Sequence, residues 1–149
     1  MDIWIASDHA GYLMKKDIID YLSRNHSTWH ISDLGPEDDT SVDYPIYAHK
    51  VAEGVSRGEC KRGILVCGTG LGMSMMANRF SGVRAALCLS EEMALLSREH
   101  NRSNILCLSG RKVTLDENIA ITNKWLETEF TNDHRHIRRI ELMDALKIR

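Results

Sequence analysis

The sequence predicts a single α/β domain, residues 1–149, built on a five-stranded, doubly wound parallel sheet. Five short apolar segments alternate along the chain with segments in which apolar residues recur at helical spacing. Most of the predicted strands are apolar throughout, which is typical of parallel strands covered by helices on both faces. The chain of 149 residues, with 43% hydrophobic residues, is long enough to bury one compact core of its own.

The first part of the chain predicts two strands, each followed by a helix. Residues 3–6 form a buried strand, and a second strand around Trp29 and Ile31 closes in a turn at residues 33–36. An acidic loop follows, and the next helix begins near Pro45, because proline suits the first helical turn. The apolar stripes of the two helices consist of Met14, Ile18, Leu22, Tyr47, Val51 and Val55.

The rest of the chain predicts three more strands, at residues 63–66, 83–88 and 104–108. A glycine-rich turn follows the first of these strands and opens a helix that runs to about residue 80. Ser90 is the expected N-cap of a helix that ends near residue 100. Of the last two helices, one has an apolar face of Leu115, Ile119, Leu126 and Phe130, and the other covers about residues 134–146.

Charge and cysteine content exclude several classes of protein. A formal net charge of -2 gives no general attraction to nucleic acid or to an anionic membrane. The chain has no apolar run long enough to span a bilayer and no basic start typical of a signal peptide, so we expect a cytoplasmic protein. Cys60, Cys67, Cys88 and Cys107 are widely spaced, which predicts free thiols, with Cys88 and Cys107 as buried apolar residues.

The turn at residues 67–74, with the sequence CGTGLGMS, is the strongest functional signal in the chain. It joins a buried strand to a helix, and its glycines allow backbone N–H groups to point at an anion near the positive end of the helix. A helix N-terminus also stabilises a thiolate, which Cys67 would supply. The alternative is a tight structural turn with a buried cysteine.

Two pairs of polar residues lie where strands or helices end. Asp8 and His9 follow the first strand directly, and His100 and Asn101 stand at the end of a helix. Each pair has a structural alternative: Asp8 as a helix cap with a solvated His9, and His100 with Asn101 as a helix terminator. We expect both pairs, the Cys67 turn and Arg111 at or near the carboxyl ends of strands, where α/β sheets bind ligands.

The last predicted helix begins with a cluster of cationic residues that oppose its dipole. The cluster consists of His134, Arg135, His136, Arg138 and Arg139. Arg135 and Arg139 lie four residues apart, on one face, and could clamp one phosphate. The alternative is a solvated helix whose arginines pair with Glu141 or Asp144. Arg111 is a third candidate for binding phosphate.

Seven segments, in order along the chain, together resemble the B-type ribose-5-phosphate isomerases and their relatives that act on six-carbon phosphosugars. They are SDHAG at residues 7–11, DYP at 43–45, the turn at 67–74, ANR at 77–79, HN at 100–101, GR at 110–111 and RHIRR at 135–139. The resemblance implies a flavodoxin-like or Rossmann-like three-layer fold and a homodimer with shared active sites, the last helix lying at the dimer interface. It implies no metal or organic cofactor, and it leaves open whether dimers form tetramers.

The resemblance also implies a role for each site residue. Cys67 would move a proton between C1 and C2 of the open-chain sugar, and His100 with Asp8 would open the sugar ring. The enediolate would be stabilised by Gly68, the catalytic residue Thr69, Gly70, Gly72 and Ser74, and the sugar hydroxyls would be held by Asn101. The phosphate would be bound by His9, Tyr44, Arg111, Arg135 and Arg139. His100, Asn101 and Arg111 are expected from the partner subunit.

The resemblance implies an aldose–ketose isomerase of ribose 5-phosphate and ribulose 5-phosphate, an enzyme of the pentose phosphate pathway. Met73 stands where relatives without the cysteine carry glutamate, which places the chain in the cysteine branch. Ile46 and Ser109 depart from the usual residues and leave sugar preference open. The alternatives are an isomerase of allose or galactose 6-phosphate and a non-catalytic phosphosugar-binding subunit. A dinucleotide-binding domain is disfavoured because no G-x-G-x-x-G follows the first strand.

Overall fold

The computed structural model describes residues 1–146 and, within them, shows one five-stranded sheet with all neighbouring strands parallel. The strands are β1 (Asp2–Ser7), β2 (His30–Asp33), β3 (Arg62–Cys67), β4 (Ala85–Leu87) and β5 (Ile105–Ser109). Their order across the sheet is β2-β1-β3-β5-β4, so the predicted doubly wound α/β class is confirmed. The order of the last two strands differs from the 2-1-3-4-5 order of flavodoxin.

The helices cover both faces of the sheet. They are α1 (Tyr12–Asn25), α2 (Tyr44–Arg57), α3 (Leu71–Ala77), α4 (Glu91–Glu99), α5 (Leu115–Glu127) and α6 (His134–Ala145). Along β3, Ile64 packs into the core under α1, α4 and α5, while Leu65 packs into the core under α2 and α3. Both faces of the strand are therefore buried, which explains why its sequence is apolar throughout.

Three predicted boundaries differ from the structure, each for a local reason. Helix α3 ends at Ala77 rather than near residue 80, because the Asn78 side chain bonds both the amide (2.8 Å) and the carbonyl (2.9 Å) of Ala85. β4 is shorter than predicted, since the amide of Arg84 is taken by the Asn104 side chain at 2.8 Å. Phe130 lies beyond α5, whose buried face is formed by Asn118, Ile121, Thr122, Trp125 and Leu126.

Helix α6 buries few of its residues. Only His136 and Ile140 of this helix are buried, whereas Leu142 and Met143 are about half exposed, at 56% and 47%. Its N-terminus is nonetheless capped, because the Asp133 side chain accepts the amide of Arg135. Among the described residues, no helix is long and apolar enough to cross a membrane.

Candidate active site

The glycine turn after β3 holds the thiol of Cys67 against its own backbone. Cys67 is the last residue of β3 and is only 5% exposed. The amide of Gly70 donates to the Cys67 Sγ at 3.1 Å. Gly70 has φ +77°, in the left-handed region that favours glycine, and a Cβ there would also collide with Leu87. The turn therefore closes back on the thiol only because residue 70 is a glycine.

Backbone amides are the available donors of this turn. Within residues 1–146, no hydrogen bond is made by the amides of Gly68, Thr69, Gly72 and Met73. The two hydroxyls are already engaged, since Thr69 Oγ1 accepts the Leu71 amide at 3.3 Å and Ser74 Oγ donates to the Leu71 carbonyl at 2.8 Å. The arrangement suits an anionic oxygen that needs several N–H donors.

Tyr44 and Arg111 flank the turn on two sides. A Cβ at Gly72 would lie 2.7 Å from the Tyr44 ring, so the ring rests directly over this glycine. A Cβ at Gly68 would lie 3.5 Å from Cδ of Arg111, so the arginine stem runs along the other side. The amide of Arg111 donates to the Gly68 carbonyl at 3.2 Å. Two predicted phosphate contacts thus lie beside the Cys67 turn of their own chain.

The end of β1 brings Asp8 and His9 to the same edge. Asp8 caps the short 3-10 helix His9–Gly11, because its Oδ1 accepts the Gly11 amide at 2.9 Å. His9 Nδ1 lies 3.3 Å from both the carbonyl oxygen and the amide nitrogen of Val42. Asp8 is therefore a helix cap, as the structural alternative predicted. His9 is held by Val42 and is not freely solvated.

Ser109 has a part in this site that its sequence position did not reveal. It is fully buried at the end of β5 and pairs in register with Cys67. Its Oγ donates to the Gly68 carbonyl at 2.9 Å and accepts the amide of Lys112 at 3.0 Å. The hydroxyl thus links the glycine turn to the segment that carries Arg111. The departure from glycine at this position is the only signal that the sequence offers.

A second group of predicted site residues lies around the start of α6. The rings of His100 and His136 are stacked, with centroids 4.3 Å apart and planes within 16°. Burial, and next the neighbouring His100, lower the pKa of His136 below its usual range. Asn101 is exposed and lines a cavity of about 820 Å³ that also reaches Met143.

Arg135 and Arg139 of α6 are exposed. Arg135 is exposed and makes one surface ion pair, to Asp133 at 3.3 Å. In the part of the chain that the structure describes, Arg139 has no ion pair. Asp144, the partner expected of a solvated helix, instead pairs with Arg84 at 3.3 Å.

Two expectations about placement are corrected. His100 and Asn101 do not lie at the carboxyl ends of the strands, because α4 runs antiparallel to the sheet and ends at the opposite edge, before β5 begins. The length of β5, roughly 13 Å at about 3.3 Å per residue, separates that edge from Cys67. Arg111 was expected from a partner subunit, but pairing of β5 with β3 carries it to the Cys67 turn of its own chain.

The other three cysteines differ from Cys67 in setting. All four are free, as predicted, and Cys88 and Cys107 are fully buried. Burial raises the pKa of Cys88 to about 11, and burial raises the pKa of Cys60 and, further, that of Cys107. A raised pKa favours the protonated thiol at neutral pH over the nucleophilic thiolate.

The fold and the site define a class of protein. In a doubly wound sheet, ligands bind where the strand order reverses, which here is between the carboxyl ends of β1 and β3. A thiol, a carboxylate and an imidazole meet free backbone amides at that point. This arrangement is that of an enzyme that moves protons on a small anionic substrate.

Comparison with known proteins gives the family. The sequence matches the family described as Ribose/Galactose Isomerase over residues 3–143. It is 46% identical over 142 residues to the probable ribose-5-phosphate isomerase B of Mycoplasma genitalium, covering 94% of this chain and 91% of the relative. This chain belongs to the Ribose/Galactose Isomerase family, which confirms the resemblance and the isomerase class inferred from the sequence.

Solved structures agree with this assignment. Ribose-5-phosphate isomerase B of Clostridium thermocellum superposes with a TM-score of 0.92 at 46% identity, over 97% of this chain and 95% of that one. The Mycoplasma genitalium enzyme, solved with bound ribulose-5-phosphate, superposes with a TM-score of 0.90 at 44% identity, over 96% and 93% of the two chains.

Proposed function

We propose that this protein interconverts ribose 5-phosphate and ribulose 5-phosphate, with Cys67 as the base that moves the proton. The observation that carries the proposal is the set of free amides around a thiol at the end of β3. The relative of known structure with bound ribulose-5-phosphate, 44% identical, supports a five-carbon substrate.

The reaction is a proton transfer between neighbouring carbons. The Cys67 thiolate takes the proton from C2 of the open-chain aldose, and the electron pair moves to the C1 oxygen to give an enediolate. The amides of Gly68 and Thr69 stabilise the charge that develops on the oxygens. The same thiol then returns the proton to C1, and the proton on the C2 oxygen passes to the C1 oxygen, which gives the ketose. The hydrogen bonds from these amides become stronger as charge develops on the oxygens. They therefore lower the barrier of the reaction more than they tighten binding of the substrate.

We further propose that the active site is shared between two copies of this chain. His100 and the arginines of α6 lie at the edge of the sheet opposite Cys67, so one chain cannot bring both groups to one small sugar. A symmetric dimer would place α6 of one chain over the Cys67 turn of the other. Exposed apolar side chains that such contacts would cover are Leu71, Met75, Met93, Leu96, Leu142 and Met143.

In this dimer, each element has a defined role. His100 of the second chain protonates the ring oxygen as the sugar ring opens, while Asp8 assists from the first chain. Asn101 binds sugar hydroxyls, and the phosphate lies among His9, Tyr44, Arg111 and the partner's Arg135 and Arg139. Four free thiols fit a reducing compartment, and we place the protein in the cytoplasm.

Deuterium exchange tests the assignment of Cys67. In heavy water, the wild type should wash deuterium into C2 of ribose 5-phosphate, and Cys67→Ala and Cys67→Ser should exchange about 10²–10⁴ times more slowly. Cys60→Ser is the matched control, since its hydroxyl can keep the bond to the Arg62 carbonyl and it lies at the far end of β3. Exchange at the wild-type rate in Cys67→Ala would exclude Cys67 as the base. Parallel assays with allose and galactose 6-phosphates test the six-carbon alternative.

A further inference from the structure

A buried lysine is bonded to the turn that follows β2. Lys15 of α1 is fully buried, and its Nζ donates to both oxygens of Asp33 (2.6 and 2.8 Å) and to the Pro36 carbonyl (2.8 Å). All three ammonium protons are therefore used. Asp33 itself is 41% exposed, so only the lysine end of this ion pair is buried. An unpaired buried ammonium would be costly, so Lys15 and the turn after β2 are held together.

The three bonds fix a turn from which the next loop departs. Asp33 Oδ1, held by Lys15, also accepts the Gly35 amide at 2.9 Å. The loop of residues 37–43 begins directly after this turn, and the Tyr12 hydroxyl donates to the Glu37 carbonyl at 2.9 Å. Lys15 and Tyr12, three residues apart on α1, thus hold the start of the loop from the same helix.

The far end of the loop meets the predicted phosphate contacts. Val42 presents both its amide and its carbonyl to His9 Nδ1 at 3.3 Å, which fixes the ring and leaves Nε2 for a ligand. The loop then enters α2 at Tyr44, whose ring rests over Gly72. A shift of the loop would therefore move His9 and Tyr44 together, while the bonds that hold Cys67 belong to β3 and its turn.

We propose that Lys15 is a positioning residue for phosphate binding: through Asp33 and Pro36 it fixes the loop that sets His9 and Tyr44 around the substrate phosphate. This inference rests on the proposed function, because that function assigns the phosphate to His9 and Tyr44. The positioning role of Lys15 concerns phosphate binding by His9 and Tyr44 and leaves proton transfer by Cys67 unaffected. The α1 side of the site contributes to substrate affinity, and Cys67 at the end of β3 carries out proton transfer.

Kinetics of Lys15→Met test the proposal. The variant should raise KM for ribose 5-phosphate by about tenfold or more and leave kcat within about threefold, since a loop shift of about 1 Å weakens contacts made equally in ground and transition states. Lys16→Met is the matched control, because Lys16 is exposed and lies equally far from the Tyr12 ring, at 5.5 Å. It should leave both constants unchanged. A folded Lys15→Met enzyme with unchanged KM, or with a fall in kcat alone, would overturn the inference.

A milder variant serves if Lys15→Met fails to fold. Tyr12→Phe removes only the hydroxyl bond to the Glu37 carbonyl, at the surface, and should raise KM about two- to fivefold at constant kcat. An unchanged KM in Tyr12→Phe would count against the loop as the link between α1 and the phosphate.

A readout without turnover separates this inference from the proposed function. Titration of wild type and Lys15→Met with inorganic phosphate, followed by the NMR signals of the His9 imidazole, measures phosphate binding at the site directly. Weaker phosphate binding in Lys15→Met supports the inference even if ribose 5-phosphate is not isomerised, in which case only the proposed function fails. Equal phosphate binding in the two proteins refutes the positioning role alone. An absence of phosphate binding at wild-type His9 refutes both.

Discussion

The glycine turn after β3 and the helix α6 both carry predicted site residues, but their own chain holds them to very different extents. Cys67 is 5% exposed and is fixed by the Gly70 amide, and Ser109 braces the Gly68 carbonyl from the neighbouring strand. In α6 only His136 and Ile140 are buried, and Arg139 projects into solvent. The difference fits our proposal that the Cys67 turn is complete within one chain, whereas the arginines of α6 bind the substrate only after a second copy of the chain has docked.

Mixing inactive variants gives the largest expected effect and tests this division directly. Cys67→Ala mixed with Arg139→Ala should recover activity to about a quarter of wild type at low substrate, because half of the randomly formed dimers are hybrids with one intact site of two. Cys67→Ala mixed with Arg111→Ala should recover none, since Cys67 and Arg111 flank the same turn of one chain.

The two mixtures control for each other, provided that exchange of subunits is verified by mass spectrometry. Recovery with Arg111→Ala would mean that this residue acts across the dimer, against its position beside Gly68. If the mixture with Arg139→Ala recovers no activity although subunits exchange, Arg139 does not act at the Cys67 turn of a partner chain.

Loss of a single cation on α6 should weaken binding without affecting the fold. Arg139→Ala should reduce phosphosugar affinity by about 1.5–3 kcal/mol, roughly 10- to 150-fold, the scale of hydrogen bonds to charged groups. Arg138→Ala is the matched control, since Arg138 is also exposed but lies on another face of the helix. Calorimetric titration with ribose 5-phosphate measures both. Equal affinities of the two variants would mean that α6 is a solvated basic helix and that Arg139 does not bind the phosphate.

The sequence predicted the fold better than it predicted which site residues lie together in one chain. The apolar run at residues 63–66 predicts a buried strand by itself, and the glycines that follow it predict a turn. The sequence therefore predicted β3, the start of α3 and the position of Cys67 between them. The opposite edges of Cys67 and His100 follow from the direction of α4 in the sheet, which no local pattern contains. The bonds of Lys15 to the Asp33 turn join residues 18 apart and were likewise invisible in the sequence.

Crowding the glycine turn should impair binding more than stability. In Gly72→Ala the new Cβ meets the Tyr44 ring, which is 39% exposed and can swing away, so KM should rise about three- to tenfold. Stability should change by no more than about 1 kcal/mol, because alanine favours the helix by a similar amount. If displacement of Tyr44 is the cause, the effects of Gly72→Ala and Tyr44→Ala on KM will not add in the double variant. Additive effects would mean that the methyl group blocks the substrate itself.

The smallest expected effect concerns the pH dependence of stability in α6. Burial lowers the pKa of His136, so the folded protein favours the neutral imidazole while the unfolded chain binds a proton below about pH 6.5. The unfolded state then binds more protons than the folded one, and stability must fall as the pH drops from about 6.5 towards the lowered pKa. Denaturant unfolding at fixed protein concentration, between about pH 7 and pH 5, measures the slope of the unfolding free energy against pH.

His136→Phe keeps an aromatic ring against His100 and should flatten this slope, whereas the exposed control His134→Phe should not. Equal slopes in all three proteins would show that α6 stays attached regardless of the charge on His136, and that its contact with His100 does not depend on protonation.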